Sequence, residues 1–177
     1  MSYTCTLREL APQLTMSVRR GVPAHHAGAA VVEAFGEVGR YLKEVGGRPV
    51  GETFARFNRI GDEVLDVEVG FTVLELLPAA GAVQASALPA GEAITTIHQG
   101  PYERLPDAVA ALEQWMHAHG RTAAGPFWEV YLNGPPDVTE PETYETEVVM
   151  PSSRAFSTNV SVFTVISKAR KGLAMRS

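Results

Sequence analysis

The sequence holds a single cysteine, Cys5, so an internal disulfide framework is excluded. Its five histidines give no structural-zinc spacing. His25 and His26 are adjacent and His117 and His119 lie two apart, which does not place two ligands on one helix face. We therefore expect no metal and no cofactor, and stability must come from packing. No apolar run approaches the ~20 residues that a membrane helix needs, so no span is expected. The start, Met1-Ser2-Tyr3-Thr4-Cys5, lacks the basic stretch, apolar segment and cleavage site of a secretory signal, and a cytoplasmic location is expected. Gly-rich phosphate loops, nucleophile elbows and paired Cys/His arrangements are missing too. So is an excess of positive charge: 15 Lys and Arg against 20 Asp and Glu give −5, which opposes attraction to phosphate backbones and argues against direct nucleic-acid binding. The basic segment Lys168-Ala169-Arg170-Lys171 with Arg176 has no interleaved aromatics and reads as a solvated tail.

What is there is one ordinary globular composition, 45% apolar and 20% charged over 177 residues, and a pattern that occurs twice. Strand-like sequence from Thr4 to Arg20 is broken at Ala11-Pro12 and ends at Gly21. Val31, Ala34, Phe35, Val38, Tyr41, Leu42 and Val45 then recur at helical spacing, and Gly46-Gly47 supplies the stop. Strands are predicted at Thr53 to Arg59 and Val64 to Leu76, with a turn at Gly61-Asp62. The second half repeats this order. A strand over Ala93 to His98 precedes a helix with Pro106 and Asp107 in its first turn, an apolar stripe of Val109, Leu112, Trp115 and Met116, and Gly120 beyond its end. Strands follow over Phe127 to Leu132 and Thr143 to Met150. The Pro/Gly-punctuated segment from Leu77 to Gly91 reads as the joint, with a small strand at Ala82 to Ala87.

One numerical offset relates Gly21 to Gly100, Asp66 to Glu145 and Glu68 to Glu147, which supports duplication. The expected architecture is α+β: two strand-helix-strand-strand units forming an antiparallel sheet, with helices on one face and a ligand cleft between the halves, on the side away from the helices. We expect one domain over residues 1–155, with halves at about 1–77 and 90–151, and a C-terminal extension over 156–177 in which Val160 to Ile166 adds a strand.

Three strand positions carry acids that could work in such a cleft. Glu147 lies mid-row with Glu145 and Val149, and Glu68 alternates with Val67 and Val69. A carboxylate in an apolar cleft selects positive or hydrogen-bond-donating ligands, whereas on an edge strand the same row is simply the wet face. Phe127, Glu129 and Tyr131 share one face of their strand, offering a ring, a carboxylate and a phenol suited to flat or cationic organic molecules. The other face carries Trp128, Val130 and Leu132, which is either core or pocket wall. His98, at a strand end before Gly100, is placed either at the cleft mouth or on the surface.

The segments His98-Gln99-Gly100-Pro101-Tyr102-Glu103, Gly125-Pro126, Val130-Tyr131-Leu132-Asn133-Gly134-Pro135 and Thr146-Glu147-Val148-Val149-Met150-Pro151, with Trp115, together resemble the GyrI-like small-molecule-binding domain, also called the bacterial transcription-activator effector-binding domain. Asp66 to Val73 and Leu88 to Gly91 are similar to the same family, so the likeness runs from about residue 4 to 151. It implies a duplicated fold with ligand in the groove between halves. By motif, Glu147 matches the pocket acid and Tyr131 its aromatic partner, while Trp128 and Phe57 follow from neighbouring position and pseudo-symmetry. The resemblance implies a stand-alone bacterial binder of amphipathic, cationic or aromatic drugs or metabolites. Its rivals are a hydrolase of cyclopropane-bearing toxins, with Glu147 as general base and Tyr131 orienting or protonating the opened ring, and a partner of DNA gyrase.

Overall fold

The computed structural model describes residues 2–155 apart from 48, 61, 62 and 136, with backbone only at 49, 50, 52, 59 and 60. The predicted turn at Gly61-Asp62 and the predicted strand at Val160 to Ile166 lie outside the described residues. Nine strands and two long helices follow one another as β1 (Thr6–Leu10), β2 (Gln13–Pro23), α1 (Ala27–Glu44), β3 (Pro49–Ile60), β4 (Val64–Val73), β5 (Val83–Leu88), β6 (Gly91–Gln99), α2 (Leu105–Ala118), β7 (Arg121–Ala123), β8 (Phe127–Tyr131) and β9 (Glu145–Arg154). The fold is α+β, with an antiparallel sheet ordered β1-β6-β9-β8-β3-β4-β2-β5 and β7 paired to the end of β9. Short β7 had no signal in the sequence, since three residues are too few to show alternation.

The repeat is visible in the sheet. β2-α1-β3-β4 and β6-α2-β8-β9 are the same unit, and β3 pairs with β8 where the two meet. The acidic anchors coincide in register: Glu68 pairs with Arg56 on β3, and Glu147 with Val130 on β8. The glycine anchor is one residue off, because Gly21 pairs with Asp66 whereas Gln99, not Gly100, pairs with Glu145.

Alternation along each strand assigns the two faces. Toward the helices point Met16, Val18, Ala55, Val67 and Val69, which pack on Val31, Ala34, Val38 and Leu42 of α1. Ile94, Val148 and Met150 pack likewise on Leu105, Ala108, Leu112 and Met116 of α2. Each helix thus buries the stripe that its 3.6-residue period predicts, and α1 ends where Gly46 takes φ +67°.

The helix-free face is not open. Two residues, Ala11 and Pro12, join β1 to β2, and two more, Pro89 and Ala90, join β5 to β6, although these strands lie at opposite ends of the strand order. Two residues span only about 7 Å, so the sheet curls until its ends meet. The curl encloses Phe54, Leu88, Ala93, Trp128 and Val149, all buried. This is why β4, read as half-exposed, is buried on both faces.

Candidate functional site

Register determines which predicted residues meet. Glu129 lies opposite Ala55 on β3 and Val148 on β9, so its carboxylate points to the helix side, over the seam between the two halves. Phe127 and Tyr131 share that face one step to either side, and Phe57 pairs with Phe127. Rings close around the acid. Phe57 stacks on Phe127 at 5.6 Å, while Tyr131 meets Phe35 of α1 and Tyr102 edge-on, each at 5.6 Å. Tyr102 also packs on Tyr144 at 5.1 Å, and Phe35 on Phe71 at 6.0 Å. Tyr102 stands on the short turn Tyr102–Arg104 that leads into α2, so both helices supply a ring to the seam.

Glu129 is only 8% exposed, and Tyr131 Oη donates to its Oε2 at 2.7 Å. Among the described residues no Lys, Arg or His pairs with it. Burial pushes its carboxyl up to about 7, the Tyr131 hydroxyl offsetting part of the rise. Burial first, and the Glu129 charge second, push the Tyr131 phenol well above its ordinary range. Tyr102 is raised chiefly by burial, with Tyr144 and Glu129 adding to it. A buried acid that holds its proton near neutrality and has one neutral partner is ready to exchange that proton for a cation.

The remaining predicted residues, Glu147 among them, lie elsewhere. Glu147 pairs with Val130, on the face away from the helices, where Arg8 Nη1 meets its Oε1 at 2.7 Å; the two side chains are 19% and 51% exposed. Its neighbours across the sheet are Ile97 and Val130. Trp128 packs with Phe54 and Val149 inside the curl and is not a wall of the aromatic site. Glu68 is also on the helix-free side: its side chain is 5% exposed, accepts from Ser17 Oγ at 2.8 Å and pairs with Arg56. Beside it Arg19 grips Asp66 at 2.5 Å, and these residues with Asn58 and Pro126 line a hollow of about 250 Å³. His98 is neither at a cleft mouth nor on the surface. It is fully buried, between Tyr3 Oη at 2.9 Å and the Pro101 carbonyl at 3.1 Å. Glu129 and its neighbouring rings thus lie on the helix face, whereas Glu147 and Glu68 lie on the helix-free face.

The sequence reading missed Phe35, Tyr102 and Tyr144 as site residues. Phe35 was expected only in the apolar stripe of α1, and Tyr102 only within the segment that resembles the family; a ring at the stripe's edge was the available signal.

Residues 3–152 match the GyrI-like small molecule binding domain, and the chain belongs to that family. Solved structures agree on the fold. The chain is similar to the EcmrR C-terminal domain at 23% identity, covering 88% of this chain and 100% of that one with a TM-score of 0.78. It also matches EcmrR in a complex with DNA at 23% identity and TM-score 0.77, where 86% of this chain is covered but the match spans only 58% of that chain. SAV2435, solved bound to tetraphenylphosphonium, is 16% identical, with 86% and 94% of the two chains covered and a TM-score of 0.58. No curated protein matches the sequence. Among the described residues no helix is long and apolar enough to cross a membrane.

Proposed function

We propose that this chain binds organic cations bearing aromatic or bulky apolar groups, with the positive centre at Glu129 and the apolar groups among Phe35, Phe57, Tyr102, Phe127 and Tyr131. The observation that carries this is the Glu129 carboxyl, buried under rings with a phenol as its polar partner. A lipophilic cation supplies what the site lacks, a charge to pair with the acid, and cation–π contact adds about 0.5–2 kcal/mol per ring. The tetraphenylphosphonium held by SAV2435, on the same fold, is a ligand of this chemistry. Affinity comes mainly from apolar burial and the acid sets charge preference. A link between occupancy and transcription, suggested by the similarity to EcmrR, which is solved in complex with DNA, belongs to the same proposal. Isothermal titration with tetraphenylphosphonium at pH 8 tests the reading: saturable binding that weakens sharply in Glu129→Gln supports it, and equal binding by the two proteins overturns it.

The 2.7 Å contact between Tyr131 and Glu129 favours a second reading, hydrolysis of a strained ring. Two structures described as hydrolases from Listeria innocua share the fold, at 14% identity and TM-scores of 0.58 and 0.53. Glu129, rather than Glu147, would take a proton from water while the water oxygen bonds to a ring carbon. The opposite carbon would leave with the Tyr131 proton, and Glu129 would return its proton to the phenolate. Mass spectrometry of an electrophilic cyclopropane compound decides: a product heavier by one water, lost in Glu129→Gln and Tyr131→Phe, supports turnover, and recovery of intact compound sinks it.

A further inference from the structure

The two rings that flank Tyr131 are held in different ways. Phe35 lies in the apolar stripe of α1, against Phe71 and Tyr131. A shallow depression of about 750 Å³ opens beside it, bordered by Val32, Gly36, Gly39 and Lys43. Tyr102 is the more closely held. A Cβ on Gly134 would collide with Tyr102 Oη, so the phenol rests directly on the backbone of the loop after β8. That loop is tied to β9: Leu132 N–H donates to the Glu145 carbonyl at 3.0 Å, and Asn133 Oδ1 accepts from Glu145 N–H at 2.8 Å.

The turn that carries Tyr102 is fixed from below as well. The Pro101 carbonyl can only accept, so His98 Nε2 carries the proton and donates to it at 3.1 Å. His98 Nδ1 is then an acceptor and takes the Tyr3 hydroxyl at 2.9 Å. Gly100, at φ +127°, occupies a conformation that suits glycine, and its N–H donates to the Tyr144 carbonyl at 2.9 Å. A fully buried imidazole and a tyrosine from the N-terminal segment thus fix the backbone just before Tyr102, and a glycine meets the hydroxyl of its ring.

We infer that His98, Tyr3 and Gly134 are positioning residues of the ligand site, which hold Tyr102 as a fixed wall beside Tyr131. The inference rests on the cation-binding reading above and names which wall selects ligand shape. Flat aromatic groups dock against Tyr102; groups without a π-face do not gain from its fixed angle.

A double-mutant cycle on the full chain, titrated with tetraphenylphosphonium and with tetrabutylphosphonium, tests it. Gly134→Ala is expected to weaken the aryl cation roughly two- to tenfold, the range for one aromatic contact, and to leave the alkyl cation nearly unchanged. In a Tyr102→Ala background the added methyl group has space, and Gly134→Ala should then have no further effect. His98→Leu should lower the aryl-to-alkyl preference in the same way, and His98→Gln, which can still donate to the Pro101 carbonyl, should restore part of it. Equal losses for both cations, or a Gly134→Ala effect that persists without Tyr102, overturn the inference. Wild-type protein that binds neither cation overturns the underlying reading instead, so the two failures are distinct.

Discussion

Glu129 and Ala55 face each other across the β3–β8 seam, at the same position of the two repeated units, and only one of them is an acid. Phe57 and Tyr131 are the corresponding pair one step further along, a ring in one unit and a ring with a hydroxyl in the other. Duplication supplies one ring at the corresponding position of each unit, and divergence at these two pairs places one charge and one phenol off the axis. A ligand with a single positive centre fits that asymmetry.

On the proposed function, the proton on Glu129 should make cation affinity depend on pH. With its carboxyl near 7, the proton competes with the cation below that value. The tetraphenylphosphonium dissociation constant is expected to rise about tenfold per pH unit below 7 and to level off above it. Titrations from pH 5 to 9 check this, and a flat profile would exclude Glu129 as the charged partner.

The same group sets an opposite trend in stability. Its folded value lies above the ordinary carboxylate value of 4.5, so between about 4.5 and 7 the folded chain binds more protons than the unfolded one. Stability of the ligand-free protein from this group is therefore highest below 4.5, falls as pH rises through that window and stays low above it. Glu129→Gln removes the penalty and should stabilise the protein at pH 8 by up to about 3 kcal/mol while weakening cation binding. Urea denaturation at pH 5 and pH 8 measures it; a variant less stable than wild type at pH 8 would contradict the assignment.

Tyr131→Phe removes the hydrogen bond that holds the Glu129 carboxyl down. The midpoint of the pH profile should move upward, weakening cation binding at pH 7 more than at pH 9. A pH-independent loss would mean that the hydroxyl touches the ligand rather than tuning the acid.

Much of this fold was legible in the sequence because its signals are local. The 3.6-residue stripes of α1 and α2, the glycines beyond them, and the two acids at a constant offset all reappear in the structure. Which face each acid takes was not legible. Glu129 and Glu147 both alternate with apolar neighbours, and which face of a strand meets the helices depends on register between strands far apart in the chain. One odd step of parity separates the buried acid from the ion-paired one. The curl of the sheet was equally hidden, since it follows from two-residue links between strands at opposite ends of the order. That curl buries Glu68 and Trp128 on the side where sequence alone suggested open space.

Glu147 makes a surface pair with Arg8, which is half exposed, so its neutralisation should be nearly silent. Glu147→Gln is expected to change stability by less than about 1 kcal/mol, and to leave tetraphenylphosphonium affinity unchanged. Binding that collapses in this variant but survives in Glu129→Gln would return the site to the helix-free face.

Glu68 is the opposite case, because Arg56 and Ser17 are its partners inside the curl. Glu68→Gln keeps a group that can accept from Ser17 but leaves the mostly buried Arg56 guanidinium without a counter-charge. Breaking a buried pair from one side costs about 3–5 kcal/mol, and the residual exposure of Arg56 puts the expected loss at the lower end. Replacing both partners, as in Arg56→Met with Glu68→Leu, should recover most of that loss, since two apolar groups leave no charge unpaired. Urea midpoints of the two variants provide the comparison. A double variant no more stable than Glu68→Gln would show that the pair shapes the curl through more than its charge, and the cation titration, read on the same proteins, should be unaffected wherever the chain is folded.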